Sequence, residues 1–115
     1  MVNGNTYQPE KGDIVYIDCD PQAGTEQAGR RPALVLSRQE FNIATGLIFA
    51  CPITNQMKGG PFEVAVPPGA RVTGAILTEH MKSFDWIVRN VEFKSRVTDA
   101  TMDEVIGRIQ AIIEA

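Results

Sequence analysis

The apolar residues of this chain change period once, near the C-terminus. Met102, Val105, Ile106, Ile109, Ile112 and Ile113 recur at three- and four-residue steps, the pattern of one amphipathic helix. Everything before them reads as short β-rich runs cut by glycine and proline. One helical stripe in 115 residues leaves few folds open. The helix must bury its apolar face, and only a sheet is present to receive it.

The β-rich runs can be placed in order. Gly12-Asp13 leads into Ile14–Asp20, closed by Pro21, and the polar stretch 22–30 with its two glycines reads as a loop. Pro32–Ser37 does not alternate, which predicts a strand buried on both faces. Arg38 to Ala44 forms a helical turn before Gly46. Leu47–Thr54 resumes strand character, with Pro52 requiring an edge or a bulge. After the loop Asn55–Pro61, Phe62, Val64 and Val66 alternate onto one face, and Pro67-Pro68-Gly69 ends that run. Two more strands are expected around Gly74–His80 and Phe84–Val88, the second carrying Phe84 and Trp86 on one face as core. The helix opens at Thr101, with Glu104 completing a capping box, or slightly earlier at Thr98-Asp99. Its stripe is read as core packing along its whole length. The expectation is one α+β domain over 1–115, mostly β: five or six short antiparallel strands in a small barrel, closed by a C-terminal helix.

Composition narrows the function classes. No apolar stretch approaches the roughly 18 residues of a membrane span, and the N-terminus lacks a secretory pattern, so a cytoplasmic location is expected. Cys19 and Cys51 sit in strand-like runs and are read as buried thiols. With His80 alone beside them, they make no zinc site. The net charge of −3 argues against nonspecific nucleic-acid binding. Yet four acids and one base fall in Asp99–Ala115, which leaves the rest of the chain balanced and a local basic groove open.

A set of motifs then carries a resemblance. Gly12-Asp13-Ile14-Val15, Asp20-Pro21 and the stretch Gly24-Thr25-Glu26-Gln27-Ala28-Gly29-Arg30-Arg31-Pro32-Ala33-Leu34-Val35-Leu36-Ser37 are similar to the N-terminal signature of the MazF/PemK toxins. Phe41-Asn42, Pro52-Ile53-Thr54, Lys58-Gly59, Pro61-Phe62-Glu63-Val64 and Lys82-Ser83 follow in order, so the resemblance covers roughly residues 11 to 113. It implies an SH3-like barrel with a C-terminal helix, usually a homodimer. It also implies cleavage of single-stranded RNA at short sequences with no metal or other cofactor, leaving a 2′,3′-cyclic phosphate and a 5′-hydroxyl. An acidic MazE-like antitoxin is the implied partner.

Metal-free RNA cleavage needs a base for the 2′-hydroxyl, an acid for the departing 5′-oxygen and a cation for the phosphorane. Arg31 is the candidate cation, because a guanidinium offers phosphate a charged bidentate fork; the resemblance marks this arginine, just before Pro32, as catalytic. Otherwise it only braces a loop. Arg30 points the opposite way along an extended chain and is at most an auxiliary phosphate contact. Thr54 ends a strand, from which its hydroxyl can donate to phosphate, and the Pro-x-Thr match supports that role over simple strand propensity. Glu26 and Gln27, between two glycines, can read base edges or be solvated loop polarity. Lys58 can meet a phosphate, and the Lys82-Ser83 match extends RNA binding to Lys82. Phe62 and Met57 either contact base or antitoxin or fill the barrel.

Glu79-His80 departs from the family pattern, which often has Asp-Gln there. Glu79 keeps a carboxylate, and His80, whose ordinary pKa is roughly 6.5, can act as acid or base or serve recognition and packing. Two rivals share the fold: a CcdB-like gyrase poison, which relies on an aromatic C-terminus that Ile113-Glu114-Ala115 lacks, and a binding module without catalysis.

Overall fold

The structure, a computed structural model, describes residues 7–18 and 29–114. Strands β1 (Asp13–Asp18) and β2 (Arg30–Val35) are followed by helix α1 (Gln39–Thr45) and strand β3 (Leu47–Thr54). Strands β4 (Glu63–Ala65) and β5 (Ala75–Leu77), a 3-10 turn (Thr78–His80), strands β6 (Lys82–Asp85) and β7 (Glu92–Arg96), and helix α2 (Asp99–Glu114) complete the order. Every ladder is antiparallel. The sheet runs β4-β5-β3-β2-β1-β7, with β6 also on β3. It is the expected small antiparallel barrel with a C-terminal helix, left open where β4 and β7 share no ladder among the described residues.

Strand β3 is the hub. Its first half pairs with β6 through Ala50↔Lys82, and its end pairs with β5 from Ile53↔Ile76. Pro52 falls between those two pairings, where the missing amide breaks neither ladder. The sheet separates two cores. Ile14, Leu34, Cys51 and Ile76 pack on one face under Met102, Val105 and Ile109 of α2. Val15, Ala33, Val35, Ile48 and Ala50 pack on the other with Val91, Phe84 and Trp86. Burial on both faces is why β2 does not alternate: Ala33, Leu34 and Val35 are all buried.

Polar side chains fix the segments between strands. Asn42 of α1 is fully buried; its amide donates to the carbonyls of Pro9 (2.9 Å) and Ser37 (3.0 Å) and accepts from Ser37 Oγ at 2.6 Å. Gly46, at φ 76, closes α1 in the left-handed conformation that favours glycine. Buried Asp13 accepts from the Tyr7 hydroxyl, the Glu10 amide and Arg96 Nη1. Burial, aided by that carboxylate, holds the Tyr7 phenol far above its usual range.

Four expectations are corrected. Among the described residues seven strands are present, not five or six, because β7 escapes pattern reading: Glu92, Phe93 and Arg96 are exposed and only Ser95 is buried. The expected strand over Gly74–His80 stops at Leu77, where the chain turns into the 3-10 segment. The next strand covers Lys82–Asp85, not Phe84–Val88, and Trp86 begins a turn in which its indole donates to the Asn42 carbonyl at 2.8 Å. On α2 the earlier of the two expected starts holds, with Thr98 as the cap, its Oγ1 accepting the Thr101 amide at 3.2 Å. Its stripe is core only as far as Ile109, since Ile112 and Ile113 are 44% and 68% exposed. Cys51 is buried and free as expected; Cys19 lies outside the described residues.

Candidate active site

The β2–β3 register pairs Ala33 with Pro52 and Leu34 with Cys51. Carried two residues further, it sets Arg31 across from Thr54. Residues directly opposite in an antiparallel pair point to the same face. Both therefore emerge at the end of the face that holds Ala33 and Ala50, away from α2. They line one recess of about 680 Å³, which also includes Asn55 and Gln56. Thr54 Oγ1 accepts the Gln56 amide at 3.1 Å, which fixes the hydroxyl and leaves its proton to be donated. Gly74, at φ +126, presses against Thr54 from behind; a Cβ there would stand 2.3 Å from the Thr54 carbonyl oxygen.

Arg31 also borders a second recess of about 320 Å³, shared with Pro52, Lys82, Phe84 and Arg89. Lys82 reaches it because β6 pairs it with Ala50, on the same face as Thr54. Its Nζ lies 5.5 Å from the Phe84 ring centroid, a cation–π contact that holds the ammonium near the recess mouth. Three cationic side chains thus surround one depression on a chain that is acidic overall. Such local focusing can attract an anion that net charge would repel.

The remaining predicted residues are distributed differently. Arg30 also lines the first recess, but its guanidinium is held by the molecule itself: Nη1 donates to Asp18 Oδ1 at 2.6 Å, and Nη2 to the carbonyls of Tyr16 (3.2 Å) and Asn90 (2.7 Å). Glu79 and His80 are exposed on the 3-10 turn and line neither recess. Glu79 acts on Cys51: burial first, then the Glu79 carboxylate, push that thiol up to about 12. Cys51 faces the α2 side of the sheet. Lys58 is exposed beyond the recesses, its backbone amide and that of Gly59 donating to the Glu63 carboxylate. Phe62 is half-buried, and its carbonyl accepts the Thr78 hydroxyl at 2.7 Å. Glu26 and Gln27 lie outside the described residues. Among the described residues, no three His, Cys, Asp or Glu side chains are grouped to hold a metal ion.

Sequence reading missed Arg89, Asn55 and Gln56. Asn55-Gln56 directly follows Thr54 and was legible as a neighbour of that hydroxyl. Arg89 had no local signal: its Nη1 donates to the Asp18 carbonyl at 3.3 Å across the fold.

Comparison with known proteins places the fold and the family. A family model described as PemK-like, MazF-like toxin of type II toxin–antitoxin system matches residues 10–113. The Endoribonuclease toxin MazF of Escherichia coli (strain K12) is 38% identical over 107 residues, 93% of this chain and 96% of that protein. The crystal structure of MazF from Deinococcus radiodurans superposes with a TM-score of 0.85 at 42% identity, covering 95% of this chain and 99% of the other. MazF in the MazE-MazF crystal structure from the same organism gives 0.83 at 37%, covering 93% and 96%. Matched along most of its length by family model, sequence and structure, the chain belongs to the PemK-like, MazF-like toxins of type II toxin–antitoxin systems.

Proposed function

We propose that the chain is an endoribonuclease toxin that cuts single-stranded RNA at a short sequence without a metal ion, leaving 2′,3′-cyclic phosphate and 5′-hydroxyl ends. The observation that carries this reading is that Arg31 and Thr54 line one recess, where the β2–β3 register, continued past its last pair, sets them opposite. A phosphate seated there meets the guanidinium fork and the donated hydroxyl together. Both interactions strengthen as charge accumulates on the nonbridging oxygens during attack. The 2′-oxygen loses its proton and bonds to phosphorus, the P–O5′ bond breaks, and the departing oxygen takes up a proton. Lys82 and Arg89 hold the neighbouring backbone.

Proton transfer is the work for Glu79 and His80. Because they line neither recess of their own chain, we assign it to a homodimer in which two subunits form one RNA groove. Relatives crystallised as MazE-MazF complexes support a cognate antitoxin as the neutralising partner. The test is to incubate the protein, in EDTA, with a long defined RNA and to map the ends. Recurrent cuts with cyclic-phosphate and 5′-hydroxyl ends, abolished by Arg31→Ala, are expected. Intact RNA from protein that still arrests growth would overturn the reading.

A further inference from the structure

Arg30, next to the proposed catalytic arginine and on the rim of the first recess, is tied down by several polar contacts of its own. Its guanidinium donates to Asp18 Oδ1 and the Tyr16 carbonyl on β1, and to the Asn90 carbonyl ahead of β7. It also pairs with Glu92 Oε1 of β7 at 3.3 Å. A single exposed ion pair would contribute little. This is a planar fork shared among four acceptors in two separate chain segments, two of them backbone carbonyls. The site is also where regular pairing runs out. The β1–β7 ladder ends at Tyr16↔Glu92, and the β1–β2 ladder ends at Asp18↔Arg30.

The clamp touches both arginines of the second recess. Arg31 follows Arg30 directly and pairs with Ile17. Arg89 is joined to Asp18 twice, by the Asp18 amide to the Arg89 carbonyl at 2.9 Å and by Nη1 to the Asp18 carbonyl. Asn90, whose carbonyl Arg30 holds, sits at φ 57, the left-handed turn conformation that asparagine tolerates. We infer that Arg30 is a positioning residue and not a phosphate ligand: with Asp18 as partner, it locks the ends of β1, β2 and the 86–90 turn so that Arg31 and Arg89 face a common anion. This rests on the nuclease reading above.

The test compares Arg30→Ala, Asp18→Ala and the double variant. Each single change is expected to lower kcat about 10- to 100-fold, with KM and its salt dependence kept, and the double variant is expected to be no worse than either single one. Arg30→Lys recovers little, because a point charge cannot fork. Backbone amide exchange at Arg31 and Arg89, read without RNA, rises in both single variants. A direct phosphate role predicts the opposite pattern. Arg30→Ala would raise KM and flatten the salt slope by about 0.7, while Asp18→Ala, by removing a negative charge, would tighten RNA binding. That pattern, or unchanged exchange with unchanged kcat, overturns the inference. If exchange rises as expected but the unaltered protein cuts no RNA, the clamp holds and the nuclease reading fails.

Discussion

Replacing Gly74 by alanine isolates how the site is built, because the new methyl group would meet the backbone of Thr54 itself. The Cβ would stand 2.3 Å from the Thr54 carbonyl oxygen, 2.9 Å from its carbonyl carbon and 3.2 Å from Asn55 Oδ1. Neither backbone atom can swing away as a flexible side chain could, so the strand end or the 72–74 segment must shift. Overpacking of this kind costs about 1–3 kcal/mol. Holding a side chain at φ +126 adds on the order of 1 kcal/mol or more. Together they predict a loss of about 3 kcal/mol, or about 12 °C in Tm for a domain of this size. Because the displaced residue is Thr54, turnover of the folded protein should also fall about 10- to 100-fold. Gly69 supplies the control: its φ is +90 but a Cβ would meet nothing within 4 Å, so Gly69→Ala carries only the backbone strain. Urea unfolding and cleavage assays well below Tm read both effects. A Gly74→Ala protein no less stable than Gly69→Ala would refute the packing argument. Normal turnover in a strongly destabilised Gly74→Ala protein would refute the link to Thr54.

Arg31→Lys keeps the charge but loses the bidentate fork, and single-turnover cleavage should slow about 100-fold or more without unfolding the chain. Asn42→Ala removes a fully buried amide with three hydrogen bonds, and urea titration should show a loss of about 3 kcal/mol. Cys51 sets an alkaline limit to stability. Its folded pKa is raised above the ordinary thiol value, so its contribution is complete below pH 9 and is lost as pH climbs towards about 12, by up to about 1.4 kcal/mol per pH unit. Cys51→Ala should flatten that part of the pH–stability curve, leaving the further decline that the raised Tyr7 phenol imposes above pH 10.

Much of the frame was legible along the chain. Leu47–Thr54 was bounded correctly because its apolar run ends at a loop, whereas Pro52, expected to mark an edge or a bulge, sits in central β3 between its β6 and β5 pairings. The period change announced α2, and the Arg-Pro and Pro-x-Thr motifs named Arg31 and Thr54 as a pair. These features are local: period, turn residues and a family motif all reside within a few positions of sequence.

What tertiary structure decided has the opposite character. Strand β7 exists because β1 has an open edge to pair with, not because Glu92–Arg96 alternates apolar and polar residues. Ile112 and Ile113 continue the helical stripe, but the apolar cluster under α2 ends at Ile109, so the same periodicity means core at one end and exposed surface at the other. Arg30 reads as a spare cation until Asp18 and Asn90 are brought to it from 12 and 60 residues away. Glu79 and His80 follow a strand in sequence, yet the 3-10 turn carries them out of the recess that Arg31 and Thr54 share. Sequence determines which residues a short segment can bury or expose. Which of those segments meet is set by cross-strand register, and that depends on closing the whole sheet at once.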